Sequence, residues 1–218
     1  MRIAGCLALL GAMVALAGCA RAPVDPATCR VARLAAAPVE ASALGGLGMP
    51  PAHLSAVEID AVAACLAPGL DAAFAAVGDR ALVGKRFAPM SLGYRASEHG
   101  MFWQVYADPA AADSYRRYEA GARIAQGGTI VKRSFRVAAD GKVEAYRVFA
   151  MERMAPGYAP DANDWRFALY APDGALVGET GGRGDAGVRF CVECHAAART
   201  QDFLLFVPPA YRMPPTVR

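Results

Sequence analysis

Residues 127–153 read GGTIVKRSFRVAADGKVEAYRVFAMER, and their pattern decides the fold. Two runs rich in β-branched and aromatic residues, GGTIVKRSFRVA and KVEAYRVFAMER, flank Asp140-Gly141, a strong hairpin signal. The loop length fixes which side chains share a face, because successive residues of a strand point to opposite sides. A two-residue loop at Asp140-Gly141 sets Lys132 opposite Phe149 and turns Glu152 to the other face. A three-residue loop, or a bulge, brings Lys132 and Glu152 to one face.

Working outward, the stretch GMFWQVYA before this hairpin reads as a further strand. Asp108-Pro109 then opens a helix, DPAAADSYRRYEAG, ended by Gly121. DWRFALYAPDG supplies another strand and turn, and VGETGGRGDAG is a Gly-rich loop. Upstream, Ser55 begins a helix with Val57, Ile59, Val62, Ala63 and Leu66 at helical spacing. Pro68-Gly69 interrupts it, and LDAAFAAVG forms a second short helix. The expectation is an α+β protein, a mainly antiparallel β-sheet with flanking helices.

The first residues, MRIAGCLALLGAMVALAGCA, carry one cation, Arg2, and then an apolar run too short to span a bilayer. This is the form of a secretory signal ending in small residues. Leu16-Ala17-Gly18-Cys19 resembles the bacterial lipobox, in which Cys19 is lipidated and becomes the first mature residue; a plain signal peptide cleaved nearby is the alternative. Residues 1–18 are then the signal, 19–52 an Ala-, Pro- and Gly-rich tether, 53–98 a helical segment and 99–218 the sheet domain. The implied location is the periplasm, with a membrane anchor. Export also places the chain in an oxidising space, and Cys29 with Cys65 reads as one disulfide there. The formal net charge of +3 comes without any block of like charges, so there is no nucleic-acid footprint.

Cys191, Cys194 and His195 form C-x-x-C-H, the attachment signature of haem c. On a helix these positions lie on one face, so both thiols can bond the haem while His195 reaches the iron from the same side. Zinc needs more ligands, and His53, His99, Cys29 and Cys65 stand at unsuitable spacing. The expected cofactor is therefore haem c, covalently attached near the C-terminus, with His195 as the metal ligand.

A C-x-x-C-H behind a β-rich body resembles the cytochrome P-460 family, which includes the β-sheet cytochromes c′-beta. Four segments carry the likeness: VYADPAAADSYRRY, GGTIVKRSF, DWRFALYAPDG and CVECHAAARTQDFLLF, with Asp202 seven residues after His195. The resemblance covers roughly residues 100–212. It implies that Lys132 lies at the haem edge or is bonded to the macrocycle; by local sequence alone Lys132 is a solvated strand lysine. It implies that Glu152 is a carboxylate over the open iron face, able to take protons from a nitrogen substrate; the other reading is a strand-end ion pair with Arg153 or Arg147. Where the family can carry an arginine this chain has Trp103, and Phe102, Trp103 and Phe149 make an aromatic wall suited to a neutral diatomic ligand.

The resemblance further implies oxidation of hydroxylamine or nitric oxide, with electrons passing to a soluble cytochrome acceptor, and a homodimeric assembly. Two alternatives remain: a cytochrome that binds nitric oxide or carbon monoxide without turnover, and a six-coordinate electron-transfer cytochrome. For the last, the sixth ligand would come from His53, His99, Met90, Met101, Met151, Met154 or Met213.

Overall fold

The computed structural model describes residues 24–25, 27–35, 53–97 and 101–214. The signal, Cys19, most of the tether and His99 lie outside the described residues.

Among the described residues, seven antiparallel strands form one sheet. They are β1 (Ala88–Pro89), β2 (Arg95–Ala96), β3 (Phe102–Ala107), β4 (Thr129–Val137), β5 (Val143–Arg153), β6 (Trp165–Tyr170) and β7 (Leu176–Glu179). Strands β1 and β2 share one edge of β3, and the order continues β3-β4-β5-β6-β7. The sheet thus begins before residue 99, and the helical segment does not stand apart from it. The Gly-rich stretch after β6 starts as strand β7, with the loop confined to its second half.

Among the described residues, four α-helices accompany the sheet: α1 (Ala32–Ala35), α2 (Ala56–Ala75), α3 (Pro109–Tyr115) and α4 (Arg189–Ala196). Ser55 caps α2 through a capping box with Glu58, worth roughly 1 kcal/mol. Contrary to the expected break, α2 runs unbroken through Pro68. A proline inside a helix loses one backbone hydrogen bond and clashes with the preceding turn, at a cost of about 3 kcal/mol. Packing offsets it: Val62 before the proline and Leu70 and Ala73 after it are all buried. Val62 and Leu70 belong to one cluster with Phe102 and Phe135 of the sheet.

Asp108 caps α3, its carboxylate accepting from Ala111 N, and Gly121 closes the following turn at φ 100°. Residues 29–31 are stapled to the body. Cys29 and Cys65 are disulfide-bonded, Arg30 pairs with Asp140 at 3.0 Å, and Val31 N donates to Gly141 O at 2.8 Å.

The β4–β5 hairpin settles the question of faces. Ala138 N donates to Lys142 O and Gly141 N to Ala138 O, with Gly141 at φ 81°, so the loop has three residues. A register shift between Arg133 and Phe135 then adds one residue to β5. There, Ser134 Oγ donates to Arg147 O at 2.9 Å and accepts from Arg147 N at 3.1 Å. The two one-residue shifts cancel. Lys132 stands opposite Phe149 and Thr129 opposite Glu152, so Lys132 and Glu152 point to opposite faces.

Each face buries its own core. One carries Val105, Ile130, Met151, Trp165 and Phe167 under α3 and the C-terminal residues Phe203, Leu204 and Val207. The other carries Val131, Val148, Ala150, Ala168 and Tyr170 against Val77, Ala81 and Leu82, with α2 covering the adjoining part.

Candidate functional site

Helix α4 holds Cys191, Cys194 and His195 over the first face, where Cys191 and Val192 pack on its core. Both cysteines are free thiols, Cys191 half-buried and Cys194 exposed. His195 is buried, its ring 5.1 Å from that of Phe167. Its Nδ1 lies 2.7 Å from Phe203 O. A carbonyl only accepts, so Nδ1 carries the proton and Nε2 keeps a free lone pair. This arrangement fixes a ligating imidazole in orientation and tautomer. Burial, with Lys132 nearby, pushes the His195 pKa down to about 4, so the ring is neutral, as a metal ligand must be. Burial also pushes the Cys191 thiol up to about 11.

Phe203 owes its position to Asp202. These two residues have φ of 60° and 63°, a left-handed conformation uncommon for non-glycine residues. Asp202 is held from four directions. Its carboxylate accepts from Ile124 N at 3.2 Å and Asn163 Nδ2 at 2.8 Å, and it pairs with Arg153. Its carbonyl accepts from Trp165 Nε1 at 2.9 Å. Asp202 therefore shapes the turn that orients His195. The sequence reading noted Asp202 by its spacing alone, and nothing in the sequence connects Arg153, Asn163 and Trp165 to it.

Lys132 joins this site. It is half-buried on the same face, with Nζ 4.8 Å from the Trp103 ring centroid. Among the described residues Nζ has no hydrogen-bond or ion-pair partner. Burial pushes its pKa down, while Cys194 and Cys191 act in the opposite sense and Arg95 adds to the lowering. A solvated strand lysine would stand clear of the sheet, not half-buried against the Trp103 ring. Arg95, unremarked in the sequence, pairs with Trp103 in register, its Cζ 4.7 Å from the ring centroid. Phe149 stands beside Lys132 on the adjoining strand.

Two expected members of the site are elsewhere. Phe102 cannot share a face with its neighbour Trp103; it stacks on Phe135 at 5.0 Å, on the α2 side. Glu152 lies on that same far face and meets Arg166 at 3.3 Å, rather than Arg153 or Arg147. Arg166 also pairs with Asp79 and Glu179, each at 2.5 Å, and Tyr170 Oη donates to Asp79 at 2.6 Å. For Asp79, burial raises the pKa, but hydrogen bonds from Arg166 and Tyr170 outweigh it and the net shift is downward. This cluster pins residues 79–82 to the sheet. Among the sixth-ligand candidates, His53 is exposed, and Met90 and Met151 are buried in the core under Cys191.

The residues present fit a covalently held haem: two free thiols and a neutral imidazole at i, i+3 and i+4 of one helix, the imidazole with Nε2 unengaged. For zinc they do not suffice, since among the described residues no group of three or more His, Cys, Asp or Glu could hold a metal ion. The family model for Cytochrome P460 matches residues 86–206, more than half of the chain, and the chain belongs to that family. A haem cofactor follows from this membership. No curated protein matches the chain.

Proposed function

We propose that the chain carries haem c on Cys191 and Cys194, with His195 Nε2 as axial ligand and Lys132 at the haem edge, and that it acts in redox chemistry on hydroxylamine or nitric oxide. The observation that carries this reading is the position of Lys132: a lysine without a partner among the described residues, half-buried against Trp103 on the face that α4 covers. Leaving an amine in such a place costs stability unless it serves the site. When bound, the haem supplies the redox-active iron. The protein's part is to fix His195 through the Phe203 carbonyl, to hold Lys132 against the cofactor and to keep water from the apolar side of the pocket. Electrons would leave to a soluble cytochrome, and Cys19 would tether the protein to the membrane on the periplasmic side.

A second reading, binding of nitric oxide or carbon monoxide without turnover, draws on one specific observation. Glu152, the proton acceptor expected for oxidation, faces the other way, and Trp103 and Phe149 line the Lys132 side instead. Proteolytic digestion and mass spectrometry of the purified coloured protein test both. The first reading expects the Cys191–His195 peptide joined through haem to the peptide containing Lys132, and hydroxylamine-dependent reduction of an added cytochrome. Haem on the C-x-x-C-H peptide alone, with no turnover, favours the second. A haem-free peptide overturns both.

A further inference from the structure

Strand β2 brings a second cation to the α4 face. Arg95 stands opposite Trp103, and Lys132 stands opposite Val105, two residues further along β3. Cross-strand partners share a face, as do residues two apart, so Arg95, Trp103 and Lys132 lie on one side of the sheet. Arg95 Cζ is 4.7 Å and Lys132 Nζ 4.8 Å from the Trp103 ring centroid.

More than the strand fixes Arg95. Its Cζ lies 5.6 Å from the centroid of a second ring, Tyr211. Leu92 N donates to Tyr211 O at 2.8 Å and Met213 N to Met90 O at 3.3 Å, which ties residues 211–213 to the chain between β1 and β2. Arg95 is half-buried while Tyr211 is 45% exposed, so the guanidinium stands where the covered sheet meets solvent.

Among the described residues, neither the Arg95 guanidinium nor the Lys132 amine has a hydrogen bond or a carboxylate partner. With both charged, the pair repel by about 2 kcal/mol at the effective dielectric of a protein surface, comparable with what their two cation–π contacts contribute. Burial lowers the Lys132 pKa and Arg95 lowers it further, so the amine can give up its proton, whereas a guanidinium keeps its charge. A half-buried guanidinium with no carboxylate beside it marks the place of an anion.

Haem c carries anions of its own, the two propionate carboxylates on the rim of the macrocycle. We propose that Arg95, held by Trp103 and Tyr211, binds a haem carboxylate and thereby raises the reduction potential of the iron. The planar fork of a guanidinium meets a carboxylate with two parallel hydrogen bonds, and contact with both rings restricts it beforehand. Lys132 offers a point charge instead, and none once its amine is bonded to the macrocycle. Reduced iron carries one positive charge fewer than oxidised iron, so a fixed cation nearby favours the reduced state. The inference rests on the haem attachment proposed above and not on the reaction assigned to it.

Resonance Raman spectroscopy and redox titration of the full-length coloured protein test this, comparing wild type, Arg95→Gln and Arg95→Lys at one pH and one ionic strength. In Arg95→Gln the bending band of the haem carboxylates is expected to move, and the equilibrium constant for reduction to fall several-fold, a tenfold fall being about 59 mV for one electron. Arg95→Lys keeps the charge and so the potential, but its point donor still moves the band, which preserves the test if the glutamine variant loses its haem. Nitrite affinity is measured in all three proteins, to separate a haem carboxylate from a free anion. The proposal is overturned if no haem-bearing variant moves the band, or if the potential falls as far in Arg95→Lys as in Arg95→Gln, which makes Arg95 a packing residue. It is overturned equally if nitrite affinity falls about tenfold while the band stays in place, since Arg95 then serves a free anion. A haem-free Cys191–His195 peptide overturns the attachment and this inference together; attached haem with an unmoved band and potential overturns the inference alone.

Discussion

The two faces of the sheet are built from the same strands and the same alternation, yet they treat charge in opposite ways. On the α4 face, Lys132 has no ionic partner among the described residues and lies against Trp103, and His195 is kept neutral by burial. On the α2 face, Arg166 is surrounded by Asp79, Glu179 and Glu152. The second arrangement is what structural proteins do with buried charge, pairing every cation. The first leaves polar groups waiting for something the chain does not itself contain, which is the signature of a site. Arg133, one position further along the same strand, does pair with a carboxylate, Asp71.

The comparison is broken most forcefully by removing the attachment chemistry. Replacing both motif cysteines, Cys191→Ser with Cys194→Ser, is expected to abolish haem that survives acid–acetone extraction, read as the loss of the pyridine haemochrome signal. The same pair of changes should leave urea unfolding of the α2 face intact, since Cys194 is exposed and Cys191 lies outside the Arg166 cluster. Retained extraction-resistant haem would mean attachment elsewhere.

Next in size is Arg166→Met, which leaves three carboxylates facing one another without their cation. Breaking a buried pair in this way costs about 3–5 kcal/mol, measurable as a lower urea midpoint. The pH dependence sharpens it. Asp79 has its pKa lowered from 3.8, and Glu58, through its hydrogen bond with Arg33, from 4.5. An acid with a lowered folded pKa stabilises fully above its unfolded value and loses that contribution as pH falls through the folded value. Wild-type stability should therefore drop on acidification below about pH 4.5. In Arg166→Met the Asp79 share should reverse, acid then relieving repulsion. An unchanged acid slope would show that the cluster is not the ionic clamp it resembles.

The disulfide comes third. Cys29 and Cys65 are separated by 36 residues, and opening a loop of that length costs about 3–4 kcal/mol by chain entropy. Cys29→Ser with Cys65→Ser should lower the unfolding midpoint accordingly and loosen the Arg30–Asp140 contact at the hairpin tip. Hydrogen exchange at Val31 N and Gly141 N would report it, while His195 and its surroundings stay protected. Exchange spreading to the α4 face would mean that the two faces are not independent.

Much of this was legible from local pattern. Four of the longer strands and the Ser55 cap follow from period and capping chemistry, and the spacing of C-x-x-C-H suits the helix that carries it. The strand faces were not, because they depend on parity. Asp140-Gly141 marks a hairpin but does not count its loop, and nothing about Ser134 or Arg147 announces a bulge. Two errors of one residue cancel here, so a two-residue loop, wrong in itself, would have given the correct partner for Lys132. Long-range partners were out of reach as well. Arg166 meets Asp79 across 87 positions, and Asp202 meets Ile124 across 78. Pro68 misled for a different reason: it breaks helices whose neighbours do not hold them, and α2 is held on both sides of it.

The smallest expected effect discriminates best between the faces. Glu152→Gln removes one of three carboxylates around Arg166, on a side chain only 12% exposed and 3.3 Å from its partner. Asp79 and Glu179 still neutralise the guanidinium, and the amide oxygen can still accept from it, so the loss should be about 1 kcal/mol or less. The absorption spectrum, nitric oxide affinity and any hydroxylamine turnover should stay at wild-type values. If instead turnover collapsed while the urea midpoint held, Glu152 would have to reach the Lys132 face. That could happen only through a register other than Lys132 opposite Phe149. Such a register would pull Met151 and Phe149 out of their present positions with it, because every side chain on β5 would exchange faces together. The same measurement thus tests the role of one carboxylate and the parity of the whole hairpin.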